Sequence, residues 1–197
     1  MSKQRDKNLA SSIRELESLC DKLYIPQSVK EKAISIYSSA LDKGLLRRSS
    51  SVKLTYAALY AACRHMDFPR FISEIAEAGP LSREELQRNY RLLVREGLVE
   101  PKAQDPLLYI PRIAEKLGIS MKAQELAIRY LKKAKEKHIL PGKSPLALAA
   151  GALYLACIEC GEKKLQRDIA KAACVSEVSI RNSYKYLMKK LDWSLPW

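Results

Sequence analysis

Residues 175–187 read VSEVSIRNSYKYL, and within them Val178, Arg181, Asn182 and Lys185 stand at i, i+3, i+4 and i+7. On a helix that spacing puts all four side chains on one face. An arginine there can grip a guanine edge through two hydrogen bonds, an asparagine can do the same for adenine, and a valine can meet a thymine methyl. Lys185 adds a cation and Ser179 a hydroxyl to the same surface. Ile180, Tyr184, Leu187 and Leu191 follow one another at intervals of four, three and four, which predicts the stripe that docks on a core. A helix that reads bases has to be built this way, and so does an ordinary amphipathic surface helix. The spacing alone leaves both readings open.

A second chemistry is phosphate binding. Arg47-Arg48-Ser49 and Gly142-Lys143-Ser144 each stand just ahead of a strongly apolar helical run. A helix N-terminus flanked by cations is a ready phosphate site, although a solvated loop has the same composition. Arg167 is a further candidate phosphate contact, in the short segment ahead of 175–187. The chain as a whole carries +13. Residues 1–100 hold 17 Lys+Arg against 13 Asp+Glu, and residues 101–197 hold 18 against 9, so most of the excess lies in the second half. Such an imbalance favours a polyanionic partner, because each neutralised phosphate releases counterions.

Other chemistries find little support. Cys157 and Cys160 form a lone CxxC in an apolar, Ala-rich run. A structural zinc needs four ligands and no second pair accompanies this one, so two small core residues are expected and no cofactor. His65 and His138 are isolated, and neither a Gly-rich phosphate loop nor a catalytic carboxylate pair stands out, so no enzyme is expected. Five cysteines at irregular spacing point to a reducing compartment. The opening MSKQRDKN lacks the apolar run of a signal peptide, and no stretch approaches a membrane span.

The candidate face needs elements to position it. Residues 165–190 read as a helix-turn-helix: a short helix Leu165–Ala172 turning Ile169 and Ala173 inward, a turn at Ala173-Cys174-Val175, and a second helix capped by Ser176. Glu177 in its first turn complements the helix dipole. A related unit at 71–97 has Gly79 in the turn, Ser82 as cap with capping-box spacing to Glu85, and an outer face of Glu84, Glu85, Arg88 and Arg91. Carboxylates at a helix start repel phosphate, which makes this unit a poor groove reader and better suited to touching protein.

The two units belong to a longer repeat. At an offset of 94, Ala58-Leu59-Tyr60-Ala61-Ala62-Cys63 falls on Ala152-Leu153-Tyr154-Leu155-Ala156-Cys157, Ile75-Ala76 on Ile169-Ala170, Ser82 on Ser176, Tyr90 on Tyr184 and Leu93 on Leu187. Matches at apolar positions are what two copies of one core leave behind. Apolar spacing predicts an all-α chain, with helices near 8–23, 27–43, 52–66, 71–78 and 83–97 and counterparts near 106–117, 121–137, 145–160, 165–172 and 177–190. Pro26 and Pro145 suit first helical turns, and Gly44 and Gly118 suit helix ends. The middle helix of each copy is apolar nearly all round and must be surrounded by the others. The copies are assigned to 1–101 and 102–197, with Glu100–Asp105 as linker and the helix-turn-helix at 165–190.

VSEVSIRNSYKYL, SPLALAAGALYLAC at 144–157 and LTYAALYAACR at 54–64 closely resemble the C-terminal core of archaeal transcription factor B, the counterpart of the eukaryotic polymerase II initiation factor. The resemblance covers essentially the whole chain. It implies two tandem five-helix cyclin-like repeats that clamp promoter DNA bent by the TATA-binding protein. The second repeat would read a purine-rich element upstream of the TATA box in the major groove, orienting RNA polymerase recruitment. The first would contact the minor groove downstream. By the same resemblance Val178 and Arg181 match base-contacting positions, Arg47 and Arg48 match backbone contacts, and Arg64 and Arg83–Arg88 match positions that meet an acidic stirrup of the TATA-binding protein.

Glu84 departs from the family's paired basic residues, and Gln87 and Pro80 are also unusual there. The resemblance further implies an archaeal, cytoplasmic, nucleoid-associated monomer. The family's zinc ribbon is not among these residues, which suggests an excised core or truncated form. A cyclin-like regulatory subunit of a kinase is the alternative on the same fold, and the basic second copy argues against it.

Overall fold

The computed structural model describes residues 2–192, with side chains from residue 7 onward. Among these residues the fold is all-α. It comprises α1 (Ser2–Lys22), α2 (Gln27–Asp42), α3 (Ser51–His65), α4 (Ile72–Glu77), α5 (Arg83–Arg95), α6 (Ile110–Leu117), α7 (Met121–Glu136), α8 (Pro145–Glu159), α9 (Gln166–Ala173) and α10 (Glu177–Lys190). Short 3-10 turns occupy Leu45–Arg47 and Pro106–Tyr109. The chain separates into two compact units, Met1–Ala103 and Gln104–Trp197.

Helix boundaries repeat in register. Gln27 and Asp42 bound α2 as Met121 and Glu136 bound α7, 94 positions later, and α3 and α8 correspond at both ends in the same way. The punctuation explains it. Ser50 and Ser144 cap the two central helices by accepting from the Lys53 and Ala147 amides, and Ser82 and Ser176 cap α5 and α10 alike. Left-handed backbone recurs at Tyr24 and Gly118, at Gly44 and His138, and at Asp67 and Gly161. Arg70 donates to the Leu23 carbonyl at 2.5 Å, and Lys164 donates to that of Leu117 at 2.6 Å, so a cation closes the first helix of each unit.

In the first unit α3 packs against α1, α2, α4 and α5; in the second α8 packs against α6, α7, α9 and α10. Leu54 to Leu59 and Ala147 to Leu153 are buried without a break, as an all-round apolar helix requires. Each fully buried leucine contributes roughly 1.5–3 kcal/mol. Tyr60 meets Tyr90 edge-on at 5.2 Å between ring centres, and their counterparts Tyr154 and Tyr184 lie 5.1 Å apart. These pairs tie each central helix to the last helix of its unit.

Two helix starts differ from the sequence reading by more than two residues. The first helix begins at Ser2, six residues before the expected start. Its counterpart is not one helix over 106–117 but a 3-10 turn followed by α6. Pro111 causes this: it has no amide to donate and its ring crowds the carbonyl four residues back, so the α-helix starts where Pro111 falls in its first turn. α2 starts at Gln27 as expected, with Pro26 as its N-cap at ψ 152. The segment between the units is anchored at its ends. Arg64 donates to the Lys102 carbonyl at 2.8 Å and Lys102 pairs with Asp67 at 2.5 Å, while Asp105 caps Leu107 and pairs with Lys135 at 2.7 Å.

Candidate nucleic-acid interface

α9 and α10 are joined by a short turn over residues 174–176. Ile169 and Ala173 are fully buried on α9, and Cys174 takes the left-handed conformation at φ +53 that reverses the chain. The Val175 amide returns to the Ala170 carbonyl at 3.0 Å, closing the turn. Ser176 then starts α10 by accepting the Ser179 amide at 3.1 Å, and its hydroxyl also meets that of Ser179 at 2.8 Å. Ser179 is therefore engaged in the cap and half-buried.

The inward stripe of α10 is narrower than its spacing suggested. Ile180 and Leu187 are fully buried, whereas Tyr184 and Leu191 are half-buried. The Tyr184 ring packs beside that of Tyr154, whose hydroxyl accepts from Gln166 at the start of α9. Close approach of α10 to α8 depends on Gly151, where a Cβ would stand 2.9 Å from both Ser183 Cβ and the Tyr184 amide nitrogen.

On the other side Val178 is 59% exposed, and Arg181, Asn182 and Lys185 are exposed along with it. Exposure of a valine at the start of such a face leaves an apolar group in water beside an arginine and an asparagine, a combination suited to base edges. Arg167, exposed on α9, lies 3.5 Å from Asp168. Lys143, ahead of α8, is exposed and stands 4.5 Å from the centre of the Tyr186 ring on α10. The Tyr186 hydroxyl donates to the Ile139 carbonyl at 2.7 Å. The spacing of α10 did not single out Tyr186, because it lies between the buried stripe and the open face.

In the first unit Arg48 and Arg88 line one groove of about 660 Å³ together with Lys53, Glu84, Arg91 and Arg95, over a floor that includes the buried Asn89. Arg64 and Arg83 are not among its lining residues. Arg48 pairs with Glu96 at 2.5 Å, and Arg47 is exposed in the 3-10 turn before α3. Arg64 lies at the far end of α3, half-buried, stacked 5.3 Å from the Tyr90 ring centre and 5.8 Å from that of Tyr60. Arg83 is exposed in the first turn of α5.

Glu85 behaves differently from the reading of a repelling carboxylate. It receives the Ser82 amide at 3.1 Å and the Lys53 ammonium at 2.8 Å. The donating Lys53 and then the Ser82 amide hold its carboxyl below the ordinary glutamate value. Glu84 is thus the carboxylate that faces solvent at the start of α5. Of the CxxC pair, Cys157 is fully buried, with burial pushing its thiol up to about 12, and Cys160 is half-buried.

Comparison with known proteins gives these sites a context. The family model described as "Transcription factor TFIIB repeat" matches residues 5–96 and again residues 99–190, reproducing the 94-residue register. Proteins named transcription initiation factor IIB are similar throughout: one from Archaeoglobus fulgidus is 42% identical over 97% of this chain, and one from Pyrobaculum islandicum 43% over 97%. One from Methanocaldococcus jannaschii is 41% identical over 95%. The chain spans 59%, 57% and 28% of those three relatives respectively. With both copies of the repeat matched, the chain belongs to the transcription factor TFIIB repeat family.

Proposed function

We propose that the chain is the promoter-binding core of a general transcription initiation factor, acting by binding alone and as a monomer. Its partners are promoter DNA and the TATA-binding protein, with RNA polymerase joining through a longer form, at the nucleoid of an archaeal cytoplasm. On this reading α10 enters the major groove upstream of the TATA box, with Val178 and Arg181 on base edges and Ser179, Asn182 and Lys185 flanking them. Lys143, Arg167, Arg47 and Arg48 meet phosphates. Arg64, Arg83 and Arg88 face the acidic stirrup of the TATA-binding protein. No metal or other cofactor is assigned.

The observation that carries the reading is the outward set Val178, Arg181, Asn182 and Lys185 on a helix whose opposite side is fixed by Ile180 and Leu187. The first repeat presents Arg88, Arg91 and Arg95 beside Glu84 at the equivalent helix, a face suited to protein more than to bases.

A mobility shift on a TATA promoter tests this, run with and without TATA-binding protein on intact and scrambled upstream elements. A ternary complex is expected, and Arg181→Ala is expected to lose about 1–3 kcal/mol of discrimination between upstream elements. Absence of the ternary complex, or unchanged discrimination in Arg181→Ala, would sink the reading.

A further inference from the structure

Tyr186 joins two parts of the second repeat that lie 47 residues apart in sequence. Its hydroxyl donates to the Ile139 carbonyl at 2.7 Å, fixing the start of the loop between α7 and α8 to α10. Its ring face receives the Lys143 ammonium at 4.5 Å from the same loop. Gly142, at φ +76, sets the turn between these two contacts. A lysine held over an aromatic face keeps its ammonium donors open to solvent while losing the freedom of its long side chain. Lys143 is exposed despite this contact, so its charge stays available.

The equivalent positions of the first repeat hold no such device. Leu92, Ser49 and Leu45 occupy the positions of Tyr186, Lys143 and Ile139 there. Leu92 is buried and Ser49 instead donates to Asn89 at 2.5 Å. The ring and the lysine are therefore features of the repeat whose last helix carries the exposed Val178, Arg181 and Asn182, and they are not demanded by the repeat fold itself.

We infer that Tyr186 is a positioning residue for nucleic-acid binding: it holds Lys143 and its loop at a fixed offset from α10, so that a phosphate contact and the base-reading face engage the same duplex in one register. The inference rests on the DNA-binding reading of α10 proposed above. Tyr186 does not touch the duplex; it acts through Lys143. It therefore governs how strongly any duplex is held and leaves the choice among sequences to Arg181 and Val178.

The test measures ternary-complex formation with TATA-binding protein on intact and scrambled upstream elements over a salt series, for the full chain and for Tyr186→Leu, Tyr186→Phe, Lys143→Gln and the Tyr186→Leu/Lys143→Gln pair. Leucine is the first repeat's own residue at this register, and thermal melts check that each variant is folded. Lys143→Gln is expected to lower the salt slope by about 0.9, one phosphate contact. Tyr186→Leu is expected to weaken binding roughly two- to fivefold on every element alike, the range of an exposed cation–π contact. Tyr186→Phe, which keeps the ring, should retain most of the affinity. In the Lys143→Gln background Tyr186→Leu should cost nothing further.

An equal penalty for Tyr186→Leu with and without Lys143, or altered discrimination between elements, overturns the inference while leaving the DNA-binding reading intact. An unchanged salt slope in Lys143→Gln overturns it as well. Failure of the unaltered chain to form a complex would instead remove the reading on which it rests.

Discussion

Tyr24 adopts a left-handed backbone at φ +51 while its side chain is 88% exposed. A non-glycine residue there costs about 1–2 kcal/mol relative to the right-handed region, because its Cβ crowds the following carbonyl. Its backbone is held from across the unit: Arg70, which donates to the Leu23 carbonyl, also reaches the Tyr24 carbonyl at 3.3 Å. The second repeat solves the same turn with Gly118. Tyr24→Gly therefore removes strain and leaves the Arg70 contact available. Part of the gain is offset by the extra freedom of glycine in the unfolded chain, about 0.4–1 kcal/mol. A net stabilisation of about 0.5–1 kcal/mol is expected, read as a rise in denaturation midpoint in urea at unchanged slope. A lowered midpoint would mean that the exposed ring makes a contact worth more than the strain.

Among the elements, α8 and α10 are the pair on which the candidate interface depends, and Gly151 sets their separation. A methyl at that position meets Ser183 Cβ and the Tyr184 amide nitrogen at 2.9 Å, and neither belongs to a flexible side-chain end. In the first repeat the same register holds Ala57, fully buried between α3 and its neighbours. Gly151→Ala is expected to destabilise the second repeat by about 1–3 kcal/mol, the cost of overpacking, despite alanine's better helix propensity. Chemical denaturation measures the loss, and a stabilised variant would show that α10 can move outward freely. The sequence showed Tyr60, Tyr90, Tyr154 and Tyr184 only as recurring repeat positions; that they pair the central and last helices, and how closely those helices approach, came from the structure. A glycine in an Ala-rich run reads simply as another small residue. Tyr186 escaped for a related reason: periodicity identifies which side of a helix is buried, not which loop of a distant segment arrives beside it. The 3-10 break ahead of α6 was legible in principle, since Pro111 forbids a continuous helix through 106–117.

At the scale of the whole molecule, each repeat has the attributes of an independently folding unit. The first unit buries Tyr37, Tyr56, Leu54 and Leu59 around α3, and the second buries Ile110, Ile113, Leu131 and Leu153 around α8. Chains of about 95 residues with one continuous core commonly fold alone. Two ion pairs of the connecting segment fall to either side of the Ala103–Gln104 division, Lys102 pairing with Asp67 and Asp105 with Lys135. Cutting between them spares both ion pairs. Residues 104–197 expressed alone are thus expected to unfold as one cooperative transition, with coincident loss of helix and of tyrosine packing at Tyr154 and Tyr184. Circular dichroism and near-ultraviolet absorbance followed on the same melt decide it. Two separated transitions, or helix content without a transition, would mean that the second core needs its sister repeat. The fragment also separates two roles that the full chain combines. If base choice resides in α10, the fragment binds duplex weakly, since it lacks every contact of the first repeat, yet it keeps its preference for an intact over a scrambled upstream element. Equal affinity for both would place the discrimination outside residues 104–197.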